Sequence, residues 1–454
     1  MQEWGSILND SISSSLPVLV VGGGIAGVHV AQELADFGIQ VCLVEKEPTL
    51  GGKALQLFRF FPTDDCALCV SSSDRLFSRG GFRKCFYRCG ITEHPNIELL
   101  TQTQLVAVEK LNSEFKVSLE RHPRFVDEKK CIMCDKCADI CPVEVPNPTN
   151  LNLDTRKAVY LPASQAIPYS YIIDPNTCLF EECAKCVEIC PTNAIDIKEE
   201  RETIEKTFGS IAIATGFEEF DPSPLKEYGY GIFDEVITQV ELARLVDPQG
   251  PTKGKLQKKD GTPIKNVTML QCVGSRDKRF NRYCSSICCT YALKHSLLIR
   301  EQEIDVNIAY MDIRTPFIYE DYFSRARDDG VKFIKGRVSH IEKDPVTQKV
   351  YVHVSDIQTE EIMDLETDLV VLSAALVSSK GIKKLAEMLG LELDDYGFFP
   401  TPGAKESIYT NIENVYVCGA AQEPKDIPST IEQANAVSMA ILRRNAPLQS
   451  GEVK

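Results

Sequence analysis

Cysteines are the residues of this chain whose number and spacing point most directly to chemistry. The sequence holds 18 cysteines in 454 residues, and sixteen of them fall into four groups of four. Two of these groups lie between Cys131 and Cys190, and each ends in a Cys-Pro step. Thiolates gathered this closely hold iron or zinc, whereas dense disulfide frameworks belong to small secreted chains. We therefore expect a metal-cluster protein from a reducing, cytoplasmic environment.

The two central groups have the spacing of a two-cluster ferredoxin. The first reads C-x2-C-x2-C-x3-C-P, and the second differs only by an x4 gap between its first two cysteines. In two-cluster ferredoxins the fourth cysteine of each run binds the cluster of the other run. The spacing predicts two 4Fe-4S centres, one on Cys131, Cys134, Cys137 and Cys190, and the other on Cys178, Cys183, Cys186 and Cys141. A pair of structural zinc sites is the alternative, although those normally separate their C-x2-C pairs by longer loops.

A glycine-rich loop near the start of the chain predicts a dinucleotide site. An apolar run from Leu16 to Val21 leads into this loop, a helical stretch from Val28 to Phe37 follows it, and a second strand from Gln40 to Val44 ends at an acid. In this βαβ unit the glycines provide a tight turn, access for a pyrophosphate and close helix packing, and the acid accepts from a ribose hydroxyl. A glycine-rich turn with no ligand is the alternative. The residues predicted to contact the cofactor here are Gly22, Gly24, Ile25, Ala26, Gly27, Glu45 and Lys46.

Two further segments point to FAD as the dinucleotide. The run from Ile211 to Gly216 resembles the strand-to-turn segment of flavoproteins with two dinucleotide sites, and the run from Asn414 to Ala421 resembles their closing flavin motif. The acid that usually follows the last glycine is replaced by Ala420. We therefore expect the ribityl contact to come from a backbone amide at the start of the following helix, which begins at Ser429. The contacts predicted from these segments and from Gly51-Gly52-Lys53 are Gly52, Lys53, Thr215, Gly216, Gly419 and Ala420. Lys53 and Arg276 are hypothetical neighbours of the flavin ring.

A third cysteine group, Cys66, Cys69, Cys85 and Cys89, has an irregular spacing. Basic residues crowd the same segment of an otherwise acidic protein, namely Arg79, Arg83, Lys84 and Arg88. Positive charge there would offset the negative charge of a four-thiolate cluster. We expect a cluster, and a zinc site or a redox dithiol at Cys66 and Cys69 are the alternatives.

The fourth group, Cys272, Cys284, Cys288 and Cys289, stands where a pyridine-nucleotide flavoprotein would have its second glycine loop. The strand from Val267 to Leu270 runs instead into Gln271-Cys272-Val273-Gly274. Four cysteines within 18 residues favour a metal centre, and buried thiols or a vicinal disulfide are the alternatives. Cys42 and Cys418 remain, and both are expected to be buried, inert thiols. The six histidines show no sequence grouping, and none is assigned to metal or catalysis.

The overall composition excludes several classes of function. The net charge of −15 and the pI of about 5.1 argue against a nucleic-acid partner. No apolar run approaches the length of about 18 residues that spans a bilayer, so membrane insertion is not expected. The N-terminus shows no secretory signal pattern, which predicts a cytoplasmic protein.

These motifs together resemble the A-subunit family of heterodisulfide reductases over nearly the whole chain. The resemblance is carried by the glycine loop, by Phe61-Pro62-Thr63 with Cys66 and Cys69, by the ferredoxin insertion, and by the run from Cys272 to Lys294. It implies FAD, a cubane on the fourth cysteine group, and electron transfer between partner subunits, in some members with flavin-based electron bifurcation. The expected partners are the electron-donor, iron-sulfur and disulfide-reducing subunits of such a complex, with a homodimer left open. Longer members carry a further ferredoxin module after the point where this sequence stops, which leaves bifurcation open.

The resemblance implies an α/β fold: a thioredoxin-reductase-like flavoprotein with two dinucleotide-binding lobes and an inserted α+β two-cluster ferredoxin domain. The expected division of the chain is an FAD domain at 1–122, the insertion at 123–200, a second FAD part at 201–225, a degenerate nucleotide-binding-like domain at 226–380 and a final FAD part at 381–454. Up to four clusters are expected. The alternatives are an NAD(P)H-dependent flavoenzyme similar to the small subunit of glutamate synthase, the flavin subunit of a quinone-interacting complex, and a scaffold with structural clusters.

Overall fold

The computed structural model describes residues 16–62, 91–403 and 406–445 of the chain. Its strands are β1 Val18–Val21, β2 Val41–Val44, β3 Ile97–Leu100, β4 Thr103–Leu111, β5 Glu114–Arg121, β6 Glu144–Pro146, β7 Thr155–Lys157, β8 Val159–Tyr160, β9 Ile172–Ile173, β10 Glu202–Phe208, β11 Ser210–Ile213, β12 Phe217–Glu219, β13 Val236–Thr238, β14 Asn266–Val273, β15 Asp305–Tyr310, β16 Lys332–Lys343, β17 Val350–Asp356, β18 Ile362–Thr367, β19 Leu369–Ala374, β20 Leu376–Ser378 and β21 Val415–Val417. Its α-helices are α1 Ile25–Asp36, α2 Lys136–Ile140, α3 Lys185–Ile189, α4 Gln239–Val246, α5 Cys288–Arg300, α6 Glu320–Asp328, α7 Ile382–Leu389 and α8 Ile427–Asn445.

The first lobe is built on a five-stranded parallel sheet whose strands come from four distant parts of the chain. The strand order is β21-β11-β1-β2-β3, with β1 paired in parallel to both β2 and β11. All four residues of β1 are buried, as expected for a central strand covered on both faces. Val18 and Val20 face a core shared with α1 and α8, while Leu19 and Val21 face a second core. The glycine loop follows β1 and therefore lies at the carboxyl edge of this sheet.

An antiparallel sheet, β10-β5-β4, covers the second face of the parallel sheet. The side chains of Phe115, Val117 and Leu119 in β5 are buried against β1 and the short helix α7. The chain leaves this sheet after β5 and returns to it at β10, which pairs with β5 over its whole length. Because β5 and β10 are neighbours, the intervening residues 122–201 can be added without disturbing the parallel sheet.

Those residues form the cysteine-rich insertion, which has a small core of its own. Two short ribbons, β6–β7 and β8–β9, and the one-and-a-half-turn helices α2 and α3 surround it. Phe125, Tyr171 and Ile173 are buried there, and several cysteines pack against them. Arg124 is 2% exposed and joins the insertion to the first lobe, because its guanidinium donates to the carbonyl of Pro48 at 2.7 Å and to Ser170 Oγ at 3.2 Å.

The second lobe is a seven-stranded mixed sheet in the order β13-β19-β14-β15-β16-β17-β18. Strands β13 to β16 of this order are parallel, with helices α4, α5 and α6 on one face, whereas β16, β17 and β18 form an antiparallel meander at one edge. The antiparallel ribbon β12–β20 connects the two lobes.

The expected secondary structure holds with small shifts at helix starts. Helix α1 begins at Ile25 rather than Val28, because Val28 N–H already donates to Gly24 C=O at 3.0 Å. Helix α8 begins at Ile427 rather than Ser429, since Pro428 is compatible with a first turn. Helix α5 includes Cys288 and Cys289 in its first turn. Within the described residues, no helix is long and apolar enough to cross a membrane.

Candidate functional site

The glycine loop between β1 and α1 uses its glycines for different purposes. Gly22 has φ +109°, and a Cβ there would lie 2.4 Å from Ala214 O. A Cβ on Gly27 would lie 1.9 Å from Gly22 O. A Cβ on Gly24, by contrast, would meet nothing within 4 Å. Gly22 and Gly27 are thus required for packing, while Gly24 leaves open space at the N-terminus of α1, where backbone N–H groups favour an anion.

Glu45 closes the loop from the end of β2. Its buried carboxylate accepts from Gly23 N–H at 2.6 Å and from Glu47 N–H at 2.9 Å. Burial raises the pKa of Glu45, and these two N–H donors partly oppose that rise. Lys46 is more than half exposed and lies 3.8 Å from the Glu47 carboxylate. The acid therefore stands beside the loop, as the βαβ pattern predicts, and the lysine points to the solvent edge.

The turn at Gly51 and Gly52 forms the opposite wall of the loop. Gly51 N–H donates to Gly23 C=O at 2.8 Å, and a Cβ on Gly52 would lie 3.4 Å from Gly24 Cα. Lys53 follows in a short 3-10 turn and pairs with Glu218 of β12 at 2.7 Å. This turn and the glycine loop are thus in direct contact, and Lys53 links them to the ribbon between the lobes.

Three other predicted contacts meet at the same edge of the parallel sheet. Thr215 follows β11, and its Oγ1 is buried without a hydrogen-bond partner. Gly216, with φ +67°, has open space around it. Gly419, with φ +68°, lies so close to α1 that its Cβ would stand 2.9 Å from Ala26 Cβ. An orphaned hydroxyl and open space beside two loops fit a bound group that supplies the missing polar partner.

Polar side chains near α8 were missed by sequence reasoning. Gln433 Oε1 accepts from Gly419 N–H at 2.8 Å and from Lys425 Nζ at 2.8 Å, and Lys425 also donates to Gln422 at 2.6 Å. Burial lowers the pKa of Lys425, whose side chain is 10% exposed. These groups surround buried Ala420, where the usual acid is absent. The run of polar residues between Gln422 and Gln433 is the only sequence signal that could have indicated these contacts.

The insertion places eight cysteines around two separate cavities. One cavity is lined by Cys141, Cys178, Cys183 and Cys186. The other is lined by Cys131, Cys134, Cys137 and Cys190. Each cavity therefore takes three thiols from one run and the fourth from the other run, which is the crossed arrangement expected from the spacing.

The two cavities are built in nearly the same way. A residue in the left-handed conformation, Asp135 (φ 62°) or Ala184 (φ 48°), precedes each short helix and turns the cysteine loop around the cavity. Backbone N–H groups donate to sulfur, from Phe180 to Cys178 Sγ and from Ala194 to Cys190 Sγ, both at 3.3 Å. Burial raises the pKa of Cys137, and a bound metal would supply the positive charge that favours its thiolate.

The group in the second lobe is gathered by the end of β14 and the start of α5. Cys272 has φ +63° near the C-terminal end of β14. Cys288 and Cys289 are buried in the first turn of α5. Ser286 N–H donates to Cys284 Sγ at 3.4 Å. Burial raises the pKa of Cys288, and the charges of Cys272, Cys289 and Cys284 add to this rise.

Arg276 belongs to this cysteine group rather than to the glycine loop. Its guanidinium pairs with Asp312 at 2.7 Å, and its charge helps to lower the pKa of Cys272 against the effect of burial. The hypothesis that Arg276 is a flavin neighbour therefore has no support from its surroundings, whereas a role beside the thiols does.

The described cysteines can be compared with the ligand spacing of a single bound ion. Thiolates around zinc at about 2.3 Å stand about 3.8 Å apart. Among the described residues, the only group of three or more metal-type ligand atoms within 4.8 Å of one another is His340, Glu342 and His353. No three of the described thiols are that close, and all the described cysteines are free of disulfides.

Cys66, Cys69, Cys85 and Cys89 lie outside the described residues, as do the basic residues near them. The chain that leads into this segment is fixed to the second lobe. Lys294 Nζ donates to the carbonyls of Phe58 and Arg59 at 2.9 and 3.0 Å, and Phe61 packs against Tyr319 and Tyr322. Cys42 and Cys418 are buried, as expected.

The interpretation that the histidines form no group is wrong. His340 and His353 stack with ring centroids 4.1 Å apart and an angle of 14° between the rings. They lie 13 positions apart on neighbouring strands, so their proximity depends on strand register, which sequence patterns do not reveal.

Comparisons with known proteins agree with this arrangement. A family model described as an NAD(P)-binding Rossmann-like domain matches residues 20–59, and a model described as a 4Fe-4S binding domain matches residues 124–147. The thioredoxin reductase of Lactococcus lactis superposes with a TM-score of 0.50 at 13% identity, covering 95% of this chain and 99% of that chain. The fold of this chain is therefore that of thioredoxin reductase, with the cysteine-rich insertion added.

Relatives of higher sequence identity are A subunits of heterodisulfide reductases. The chain is 42% identical over 443 residues to the iron-sulfur A subunit of CoB--CoM heterodisulfide reductase from Methanocaldococcus jannaschii. It is 40% identical over 443 residues to the A subunit of the H(2)/formate:CoB-CoM heterodisulfide,ferredoxin reductase from Methanococcus maripaludis. Each alignment covers 96% of this chain but 65% of the relative, so the chain spans about two thirds of the length of these proteins.

Proposed function

Because the chain belongs to the A-subunit family of heterodisulfide reductases, we propose that it is an oxidoreductase subunit that binds FAD and 4Fe-4S clusters and passes electrons between partner proteins. The observation that carries the proposal is the pair of cavities in the insertion, each lined by four cysteines in the crossed arrangement. Thiolates in this arrangement suit two cubanes, which can accept and pass on electrons one at a time. Bound FAD would supply the conversion between one- and two-electron steps.

The residues around the glycine loop would hold FAD. Gly24 and the start of α1 offer backbone N–H groups to the pyrophosphate, and Glu45 offers a carboxylate to a ribose hydroxyl. Thr215 Oγ1, which is buried and unpaired, would find its partner in the bound cofactor. At the other end, the open space beside Gly216 leaves room for the flavin portion, with Gln433 and Lys425 as polar neighbours near Gly419.

The second lobe does not favour a nicotinamide partner. Gly274 has φ +72° at the position where a second dinucleotide loop would turn, but a Cβ there would meet the ring of Phe220 at 2.4 Å. The ring of Phe220 thus packs directly against this turn. The same strand end carries Cys272, so we propose that this lobe binds a third cluster instead of a pyridine nucleotide.

The names of the relatives suggest which proteins this chain would work with. Those relatives are the A subunits of enzymes named for the CoB-CoM heterodisulfide. We propose that this chain receives electrons from a donor protein and delivers them to iron-sulfur and disulfide-reducing subunits in the cytoplasm. We also propose that the flavin bifurcates electrons. A single reductant should then yield two reduced products of different potential.

The crossed cysteine arrangement gives a sharp test. Protein purified without oxygen would be analysed for iron, sulfide, zinc and flavin, with EPR after dithionite reduction. We expect at least about twelve irons and one FAD per chain, and about sixteen irons if the group at Cys66 also binds a cubane. Cys190→Ala and Cys131→Ala should perturb the same EPR signal, whereas Cys141→Ala and Cys183→Ala should perturb the other. Cys42→Ala, a buried thiol in β2, is the matched control.

Two results would contradict the proposal. If Cys190→Ala perturbed the same signal as Cys183→Ala, the crossed assignment would be wrong. If zinc replaced iron throughout and no signal appeared on reduction, the chain would be a structural metalloprotein. Bleaching of the flavin by NADH or NADPH alone would instead favour the self-contained flavoenzyme related to the small subunit of glutamate synthase.

A further inference from the structure

Strands β16 and β17 bring three metal-type ligands to one face of the meander. His340 and Glu342 are two residues apart in β16 and therefore point to the same side of the sheet. His353 of β17 pairs directly with His340 across the ladder. The ligand atoms of these three side chains all lie within 4.8 Å of one another.

A local irregularity produces this pairing. The register shifts between Val338 and His340, so that Ser339 is an extra residue in β16. Such bulges re-aim the side chains that follow them. The bulge brings His340 opposite His353 and leaves Glu342 next to both.

We propose that His340, Glu342 and His353 bind a divalent transition-metal ion of the zinc class, at a site separate from the cysteine groups. Two imidazoles and one carboxylate suit zinc and neighbouring first-row ions, whereas magnesium and calcium prefer oxygen alone. Three protein ligands leave the fourth tetrahedral position to water.

The separation of the ligand atoms fits one shared ion. His353 Nε2 lies 3.5 Å from Glu342 Oε2. Tetrahedral zinc, with Zn–N of about 2.0–2.1 Å and Zn–O of about 2.0–2.2 Å, places such atoms about 3.4 Å apart. The observed separation is at the outer limit for a hydrogen bond, and the buried Nε2 atom makes none.

A second carboxylate orients His353 for binding. Asp364, its cross-strand partner in β18, lies 2.6 Å from His353 Nδ1. A carboxylate there holds the proton on Nδ1 and directs the Nε2 lone pair toward Glu342. This carboxylate–histidine pair is the usual outer support of a metal-binding imidazole.

His340 completes the site from the solvent side. Its Nδ1 lies 3.0 Å from Ser339 Oγ, which leaves Nε2 for the ion. The two stacked rings have nearly parallel planes, so His340 must turn about χ2 for both lone pairs to meet at one point. His340 is exposed, and nothing buried has to move when it turns.

Zinc binding to the complete chain, with its clusters intact, tests the proposal. Zinc and iron would be measured after equilibrium dialysis against micromolar zinc, and X-ray absorption at the zinc edge would identify the ligands. We expect one zinc with nitrogen and oxygen ligands. His353→Ala and Glu342→Gln should weaken binding at least tenfold, and Asp364→Asn should weaken it by about 10- to 100-fold. Iron content should stay unchanged in every variant.

The control is His122→Ala, which removes a histidine that also lies beside a carboxylate, with Glu120 at 3.2 Å, but outside any three-ligand group of the described residues. This variant should bind zinc like the wild type. Zinc with sulfur ligands only, or unchanged zinc binding in both His353→Ala and Glu342→Gln, would overturn the proposal without affecting the proposed electron-transfer function.

Discussion

Gly27→Ala and Gly24→Ala should separate the structural from the binding role of the glycine loop. At Gly27 the added methyl would lie 1.9 Å from Gly22 O and 3.3 Å from Ala214 Cβ, so backbone must move. Such overpacking costs about 3 kcal/mol, against which alanine in a helix gains about 1 kcal/mol. We expect the free energy of unfolding to fall by about 2 kcal/mol, and flavin to be lost as the turn moves.

Gly24→Ala should behave differently because its methyl would meet nothing within 4 Å. Gly24 precedes α1 with φ −78°, which alanine adopts without strain. The free energy of unfolding should change by no more than about 1 kcal/mol, the scale of an altered helix N-cap. The methyl would occupy the space proposed for the pyrophosphate, so we expect the affinity for FAD to fall at least about tenfold, or about 1.4 kcal/mol.

The assay is urea unfolding of the flavin-free protein, combined with FAD titration followed by flavin fluorescence. Gly403→Ala is the matched control, since Gly403 also has open space and no positive φ. It should change neither quantity. The reasoning is refuted if Gly27→Ala unfolds like the wild type, or if Gly24→Ala binds FAD with unchanged affinity.

Two further predictions concern buried polar groups. Arg124→Ala should lower the free energy of unfolding by about 3 kcal/mol, measured in urea, because it removes a buried guanidinium that donates to Pro48 and Ser170. The control is Arg121→Ala, which removes a nearby arginine outside this network. Equal effects of the two substitutions would show that these hydrogen bonds do not stabilise the fold. Loss of water around the partly buried Glu219 raises the pKa of its carboxyl from 4.5 to about 8, so in this pH window the folded state holds a proton that the unfolded state releases. The free energy of unfolding should therefore fall as the pH rises from about 4.5 to 8, and Glu219→Gln should flatten that dependence in urea titrations across this window. An unchanged slope in the variant would show that Glu219 is ionised in the folded protein.

Local sequence patterns predicted much of the candidate site. The cysteine spacing indicated both cavities of the insertion and their crossed thiols, since the ligands of a cluster come mainly from one short loop. The glycine loop and Glu45 were likewise indicated by a βαβ unit that fits within about thirty residues. The flavin segments at β11 and β21 were indicated by resemblance to flavoproteins, whereas the pairing of β11 with β1 and of β21 with β11 was visible only in the folded protein.

The tertiary structure decided what depends on contacts between distant segments. Phe220 packs beside Gly274, and Arg276 lies with the thiols. Gln433 and Lys425 lie near Gly419 and Ala420, where related flavoproteins usually carry an acid. None of these contacts leaves a periodic or motif signal, because each joins residues from different elements.

The histidine site shows the same division most clearly. The sequence by itself determined the alternation that places His340 and Glu342 on one face of β16. Only strand pairing and the bulge at Ser339 decided that His353 lies opposite them. A shift of one residue in register would turn His353 to the other face, and the side-chain pattern of two short strands does not fix that register on its own.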